Sequence, residues 1–155
     1  MKEITEQEAY LRLATLCAQA EHCQQEMREK MKRWEMTGDA QQRVIDRLTK
    51  ECYIDDERYA RAYVKDKILY NKWGRRKIQQ GLWQKRIDDD IQQRVLDDID
   101  DEAYLTVLRP LLKQKRKSTK AQSDYELNQK LVRFALSRGF TFDIIRQCLD
   151  VDECP

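Results

Sequence analysis

The sequence predicts an all-α fold on three observations. Only four Gly and two Pro occur among 155 residues. The remainder is rich in Leu, Gln, Lys, Arg, Glu and Ala, which favour helix. A hexamer, QQRVID at 41–46, also returns as QQRVLD at 92–97. The match extends beyond the hexamer: DIIRQCLD (143–150) follows the pattern of DIQQRVLD (90–97). Upstream, EAYL (8–11), ERYA (57–60) and EAYL (102–105) open three segments, with Tyr10, Tyr59 and Tyr104 in matching places. Spacings of 49 and 45 residues between these tyrosines predict three tandem units of three helices each: 1–53, 54–100 and 101–155. Such a unit buries little apolar surface alone, so the expected architecture is an elongated, curved, solenoid-like array in which neighbours complete the core.

The elements follow in order. The first helix of each unit carries an apolar stripe at helical spacing. The stripes are Tyr10, Leu13, Ala14 and Cys17; Tyr59, Tyr63, Val64 and Ile68; and Tyr104, Leu105, Leu108, Leu111 and Leu112. The second helices are marked by Met27, Met31 and Trp34, by Ile78 and Leu82, and by Leu127, Leu131, Phe134 and Ala135. The third helix contains the repeated element, with Val44, Ile45 and Leu48, then Ile91, Val95, Leu96 and Ile99, then Ile144, Ile145 and Leu149. The Val-Ile/Leu pair of the hexamer is expected to close each core, while Gln41, Gln42, Gln92 and Gln93 lie nearer water. Thr5-x-x-Glu8 and Ser123-x-x-Glu126 read as capping boxes. Asp39, Asp88 and Asp143 fall at the openings of third helices, where a carboxylate meets the positive end of the dipole. Gly74 and Gly139 mark breaks. Pro110 opposes an i−4 hydrogen bond, so a kink or a split is expected there.

Composition narrows the function classes. Lys and Arg number 30 against 28 Asp and Glu, a net charge of +2, so partners must be sought in local clusters rather than in overall charge. No apolar run approaches the roughly 18 residues of a membrane span, and the N-terminus lacks the apolar core of a secretory signal. A cytoplasmic protein is expected. Five scattered cysteines (Cys17, Cys23, Cys52, Cys148, Cys154) form no C-x-x-C pair. They suggest neither a disulfide framework nor a zinc site, and Cys17 and Cys148 read as reduced core residues. The single histidine, His22, has only the Glu26 carboxylate at i+4 and no second His or Cys at i+3 or i+4, so no metal site is expected there. The phosphate-loop and nucleophile-elbow motifs are missing, as is any Cys/His/Asp constellation. An enzyme, a cofactor, a resident metal and a small-molecule substrate are therefore not expected.

Two basic clusters are the candidate contact surfaces. NKWGRRKI (71–78) holds Lys72, Arg75, Arg76 and Lys77 around Trp73, with Lys85 and Arg86 further on. KQKRKSTK (113–120) holds Lys113, Lys115, Arg116, Lys117 and Lys120. Such runs attract phosphates or acidic protein surfaces, and otherwise form solvated helix ends. Trp73 and Trp83 are the candidates for stacking on bases. Acidic runs at 55–57, 88–90 and 97–102 fit capping better than Mg²⁺ binding, and the alternating charge suits a partner carrying both signs.

The segment YIDDERYARAYVKDKILYNKWGRRKIQQGLWQKRI (53–87) resembles the signature of the RecX family, regulators of the RecA recombinase. The resemblance rests on Tyr53, Ile54, Asp55, Asp56, Tyr59, Ala60, Val64, Gly74, Ile78, Leu82, Lys85 and Ile87. LATLCAQAEHCQQEMREKMKRWEM and ELNQKLVRFALSRGF are similar to the family's first and third repeats. Two departures stand out: Gly81 occupies a position where the family often has Glu or Ala, and Lys85-Arg86-Ile87 stands for Lys-Gly-Ile. The resemblance implies a modulator, a monomer by default, that lodges in the groove of the RecA–DNA filament. It would lower ATP hydrolysis and strand exchange in recombination, DNA repair and the SOS response, and touch single- or double-stranded DNA weakly. The alternative is a stand-alone DNA-binding protein that inserts helix-turn-helix-like units into a groove.

Overall fold

The structure is a computed structural model that describes residues 3–149, so Asp150 and Cys154 lie outside it. Among the described residues, nine α-helices form three consecutive triples. The first comprises α1 (Glu6–Gln19), α2 (Gln24–Arg33) and α3 (Gly38–Lys50). The second comprises α4 (Asp56–Asp66), extended by a π-helical turn (Lys67–Asn71), then α5 (Arg75–Gln84) and α6 (Asp89–Asp97). The third comprises α7 (Asp101–Ser118), α8 (Asp124–Ser137) and the short α9 (Phe142–Arg146). The fold class is as the sequence predicts: all-helical, with three tandem three-helix domains.

The first two repeats share one register throughout. Ala9 and Ala60, Leu13 and Val64, Met27 and Ile78, Met31 and Leu82, and Ile45 and Leu96 are all 1% exposed or less, and each pair stands 51 residues apart. The equivalence of Tyr10 with Tyr59 is therefore corrected. It would set Leu11, 54% exposed, opposite the buried Ala60. Glu35 and Arg86, also 51 apart, both adopt left-handed backbone, at φ 59° and 56°. The repeated arginine serves one purpose in both copies: Arg43 binds Glu6 across α1 and α3, and Arg94 binds Glu57 across α4 and α6. In the third repeat Gln147 replaces that arginine and reaches Asp101 at 3.5 Å, a neutral remnant of the clamp.

The repeated glutamine also has a structural role, which corrects the expectation that Gln92 lies near water. Gln92 is 2% exposed, and its Nε2 donates to the Ile87 carbonyl at 2.7 Å. Gln41 makes the same bond to Met36 at 2.9 Å. Each amide satisfies a carbonyl left over at the loop that enters the third helix. Of the two capping boxes that the sequence predicts, the hydroxyl half forms in each, and the Glu126 carboxylate accepts from the Gln122 N–H, one residue before the cap. Thr5 and Ser123 hydroxyls accept the N–H groups of Glu8 and Glu126, both at 3.1 Å. Thr37 and Asp55 likewise accept from Ala40 and Arg58.

Pro110 does not split its helix. α7 runs unbroken from Asp101 to Ser118. Pro110 and the residue one turn before it, Thr106, are both exposed, so the carbonyl that the ring deprives of a partner faces water. The core departs from a uniform stack as well. Repeat 1 closes a core of its own, from Ala9 to Leu48, and Ile54 completes it from the following linker. Repeats 2 and 3 share a second core, from Tyr59 to Leu149. Gly74 and Gly139 are the joint between them. The Gly74 N–H donates to the Arg138 carbonyl at 2.8 Å, and the Arg76 N–H donates to the Gly139 carbonyl at 3.0 Å. A Cβ on Gly74 would lie 2.4 Å from the Phe140 backbone.

Repeat 1 meets repeat 2 through polar contacts. The Gln24 N–H donates to Asp56 Oδ1 at 2.9 Å, Glu26 pairs with Lys85 at 3.2 Å, and Glu21 pairs with Arg58 at 2.6 Å. Cys23 is the apolar exception: it precedes α2 yet is fully buried in the core of repeats 2 and 3. Cys17 is a free thiol in the first core, and Cys148 is free and half-buried at the edge of the second.

Candidate partner-binding surfaces

The first basic cluster lies where repeats 2 and 3 join. The π-helical turn ends at Lys72, in left-handed backbone with φ 57° and ψ 50°, and Gly74 then caps α5. Trp73 is half-buried, with the Lys67 and Lys77 ammonium groups 5.2 and 5.1 Å from its ring, contacts that hold the indole in place. Arg75 turns inward and pairs with Asp97 at 2.7 Å, bridging α5 and α6. Arg76 is exposed and, among the described residues, forms no ion pair. Lys85 spans the boundary with repeat 1 through Glu26. Arg86 is exposed and makes the tight turn that the family resemblance assigns to glycine, adopting φ 56°.

The second cluster sits on the overhang of α7. Leu105, Leu108 and Leu112 are the last fully inward positions of this helix, and every residue from Lys113 to Ser118 is exposed. Lys115, Arg116 and Lys117 occupy the last turn, where cations complement the negative end of the helix dipole. Lys115 lies 4.8 Å from the Phe134 ring of α8. The Lys120 carbonyl accepts a bond from the Lys130 ammonium, and Lys120 itself is exposed. None of Lys113, Lys115, Arg116, Lys117 and Lys120 forms an ion pair among the described residues. The two clusters differ in this respect: Lys85 ties repeat 2 to repeat 1 and Arg75 braces α5 against α6 inside repeat 2, whereas the α7 cations are unspent.

Of the two tryptophans singled out for stacking, only Trp83 presents a free face, at 70% exposure, between Arg76 and Arg86. Two exposed side chains escaped the sequence reading: Leu69 and Tyr70, on the π-helical turn. Their signal was the continuation of apolar residues past Ile68, off the Ala60–Val64–Ile68 stripe. The acidic runs lie at helix openings: Asp55 caps α4 through its side chain, while Asp88 and Asp100 stand at the N-cap positions of α6 and α7 with no side-chain cap hydrogen bond. Glu57 receives both Arg94 and Arg61, whose hydrogen bonds hold its carboxyl below the usual range. Asp56 has the opposite shift: burial pushes its pKa up, opposed by the Gln24 N–H and reinforced by Asp88. Burial likewise raises the Cys23 thiol to about 11, so it stays protonated. No group of three or more His, Cys, Asp or Glu among the described residues could hold a metal ion, and none of their helices is long and apolar enough to cross a membrane.

Comparison with known families finds three matches in chain order: the first three-helix domain of RecX over 9–48, the second over 55–96 and the third over 101–149. A regulatory protein RecX of Clostridium acetobutylicum is 31% identical over 157 residues, covering 96% of this chain and 72% of the relative. The chain belongs to the RecX family. A RecX of Clostridium perfringens is 36% identical over 123 residues, covering 77% of this chain and 57% of the relative. One of Lactobacillus delbrueckii is 31% identical over 149 residues, covering 91% and 54%. The chain thus spans from about half to about three quarters of the length of these curated relatives. Crystal structures share the RecX fold. That of RecX from Lactobacillus salivarius gives a TM-score of 0.82 at 23% identity, over 92% of this chain and 93% of the other. A second RecX crystal structure gives 0.84 at 20% identity, over 92% and 72%.

Proposed function

We propose that this protein is a non-catalytic regulator of the RecA recombinase, a cytoplasmic monomer that lodges in the groove of the RecA–DNA filament and limits its ATPase and strand-exchange activity. Family membership supports the class of function, since the matched relatives bear the name regulatory protein RecX. The observation that carries the reading further is the division of labour among the cations. Lys113, Lys115, Arg116, Lys117 and Lys120, with Lys72, Arg76 and Arg86, are exposed without an internal counter-charge among the described residues. Lys77 joins them beside Trp73. Lys85 contributes by joining repeat 2 to repeat 1, and Arg75 by bracing the helix that presents its cluster. Three modules in tandem let several weak contacts add along a polymer, so affinity arises from linkage rather than from one dominant site. Contact with DNA is the weaker, salt-dependent part of the same binding.

The test is RecA-catalysed ATP hydrolysis on single-stranded DNA, titrated with substoichiometric amounts of this protein. The expected outcome is a progressive fall in rate, and an unaltered rate overturns the proposal. Neutralising Lys113, Lys115, Arg116 and Lys117 together is expected to weaken the inhibition while helicity stays unchanged. Undiminished inhibition by that variant removes the α7 overhang from the contact surface.

A further inference from the structure

Leu69 and Tyr70 are neighbouring residues, 55% and 76% exposed, at the end of α4. A single exposed Leu or Tyr needs no explanation. This pair differs in the backbone that carries it. The helix widens into a π-helical turn at Lys67–Asn71 and is closed by left-handed Lys72, a conformation that costs an L-residue free energy and recurs at functional sites. The turn is fastened at both ends. Ile68 is buried beneath it in the shared core, and the Trp73 N–H donates to the Lys67 carbonyl at 3.1 Å. Arg138 of repeat 3 donates through Nη1 to the Asn71 carbonyl at 3.3 Å, while its own carbonyl accepts the Gly74 N–H. Two apolar side chains are therefore held in water on a rigid, strained support, which is the preorganisation that lowers the ordering cost of binding.

The surrounding charge identifies the kind of occupant. Between Lys65 and Lys77 the chain has six cations and one acid, Asp66. Of the six, only Arg75 has an ion pair among the described residues. We propose that the Leu69–Tyr70 turn is a docking knob for a protein surface bearing an apolar pocket rimmed by carboxylates. On the reading above, which this proposal rests on, that surface belongs to the recombinase subunit of the filament. Tyr70 is the anchor, Leu69 excludes water beside it, and Lys65 and Lys72 meet the acidic rim. A nucleic acid would use the cations and could stack on Tyr70. It takes an aliphatic side chain such as Leu69 only by unstacking a base step, at a cost of a few kcal/mol. An apolar protein pocket takes both side chains without that cost.

The test uses the full chain, fluorescently labelled, titrated onto RecA–ATP–single-stranded-DNA filaments and onto the same DNA alone, each at two salt concentrations. The double variant Leu69→Ser, Tyr70→Ser is expected to bind the filament at least about tenfold more weakly, with its salt dependence and its binding to bare DNA unchanged. Tyr70→Trp, which keeps an aromatic anchor, is expected to retain filament binding. Lys65→Gln with Lys72→Asn is expected to flatten the salt dependence instead. Unchanged filament binding by the serine variant overturns the knob while leaving the regulatory reading intact. Equal losses on filament and bare DNA overturn it in favour of a nucleic-acid contact. Failure of the wild-type chain to bind filaments at all sinks the regulatory reading and the knob with it.

Discussion

Gly74 and Arg86 place opposite demands on the residue that occupies them. At Gly74 the backbone of Phe140 and Gly139 lies within 2.4–2.5 Å of where a Cβ would stand, and neither backbone can yield without opening the joint between repeats 2 and 3. Gly74→Ala is therefore expected to cost about 1–3 kcal/mol, the overpacking range, read as a lower denaturant midpoint at unchanged slope. Arg86 sits at φ 56°, where an L-residue gives up about 1–2 kcal/mol. Glycine there loses part of that gain to its freer unfolded chain, so Arg86→Gly is expected to stabilise by about 0.5–1 kcal/mol. Gly81, a departure from the family pattern, has a local reason: a Cβ on it would lie 2.0 Å from the Tyr63 hydroxyl. Sequence shows these glycines as interruptions. It does not show what they touch, because the Gly74 joint is made with a loop about 65 residues away.

At the scale of elements, the repeated hexamer serves three purposes at once: Val and Ile or Leu pack inward, the arginine clamps the first helix, and the glutamine ties off the loop before the third. The first was legible from periodicity. The other two were not, because a glutamine's hydropathy predicts exposure, and only the geometry of the turn reveals an orphan carbonyl within its reach. Gln92→Ala is expected to cost about 1–3 kcal/mol by leaving the Ile87 carbonyl buried without a partner. Gln41→Ala, at a half-buried site, should cost less, and urea melts of the two variants compare them directly. Neighbouring carboxylates at the start of α4 give opposite pH signatures. The Glu57 pKa is depressed by Arg94 and Arg61, so its contribution is present above the ordinary carboxylate range and disappears as pH falls through the depressed value. The Asp56 pKa is raised by burial, so its contribution is full below the ordinary value and disappears as pH climbs through the raised one. Asp56→Asn keeps an oxygen for the Gln24 N–H and is expected to match or exceed wild-type stability at neutral pH. Glu57→Gln is expected to fall below it there and converge with it in acid, as thermal melts across pH 3 to 7 would show.

At the scale of the whole molecule, three repeats of one plan do not make three equal partners. The tandem order was readable because inward residues recur at fixed spacing, and the three-helix content followed from caps and breaks. How the units share their cores was not readable, because that depends on contacts between segments with no local pattern: Ile54 returning to repeat 1, Cys23 crossing into repeat 2, and Gly74 meeting Gly139. The result is one self-contained module joined by ion pairs and a single buried thiol to a two-repeat body with a common core. Ion pairs that are partly exposed contribute little, about 0–1 kcal/mol each, and less in salt, so the two cores should respond separately to damage. Met27→Ala and Leu131→Ala each empty a fully buried site, one in each core, and each is expected to cost about 2–5 kcal/mol locally. Hydrogen exchange should then accelerate in α1–α3 for Met27→Ala while α4–α9 keep their wild-type protection, with the reverse pattern for Leu131→Ala. Loss of protection across all nine helices in either variant would mean that the polar junction couples the modules as tightly as a continuous core.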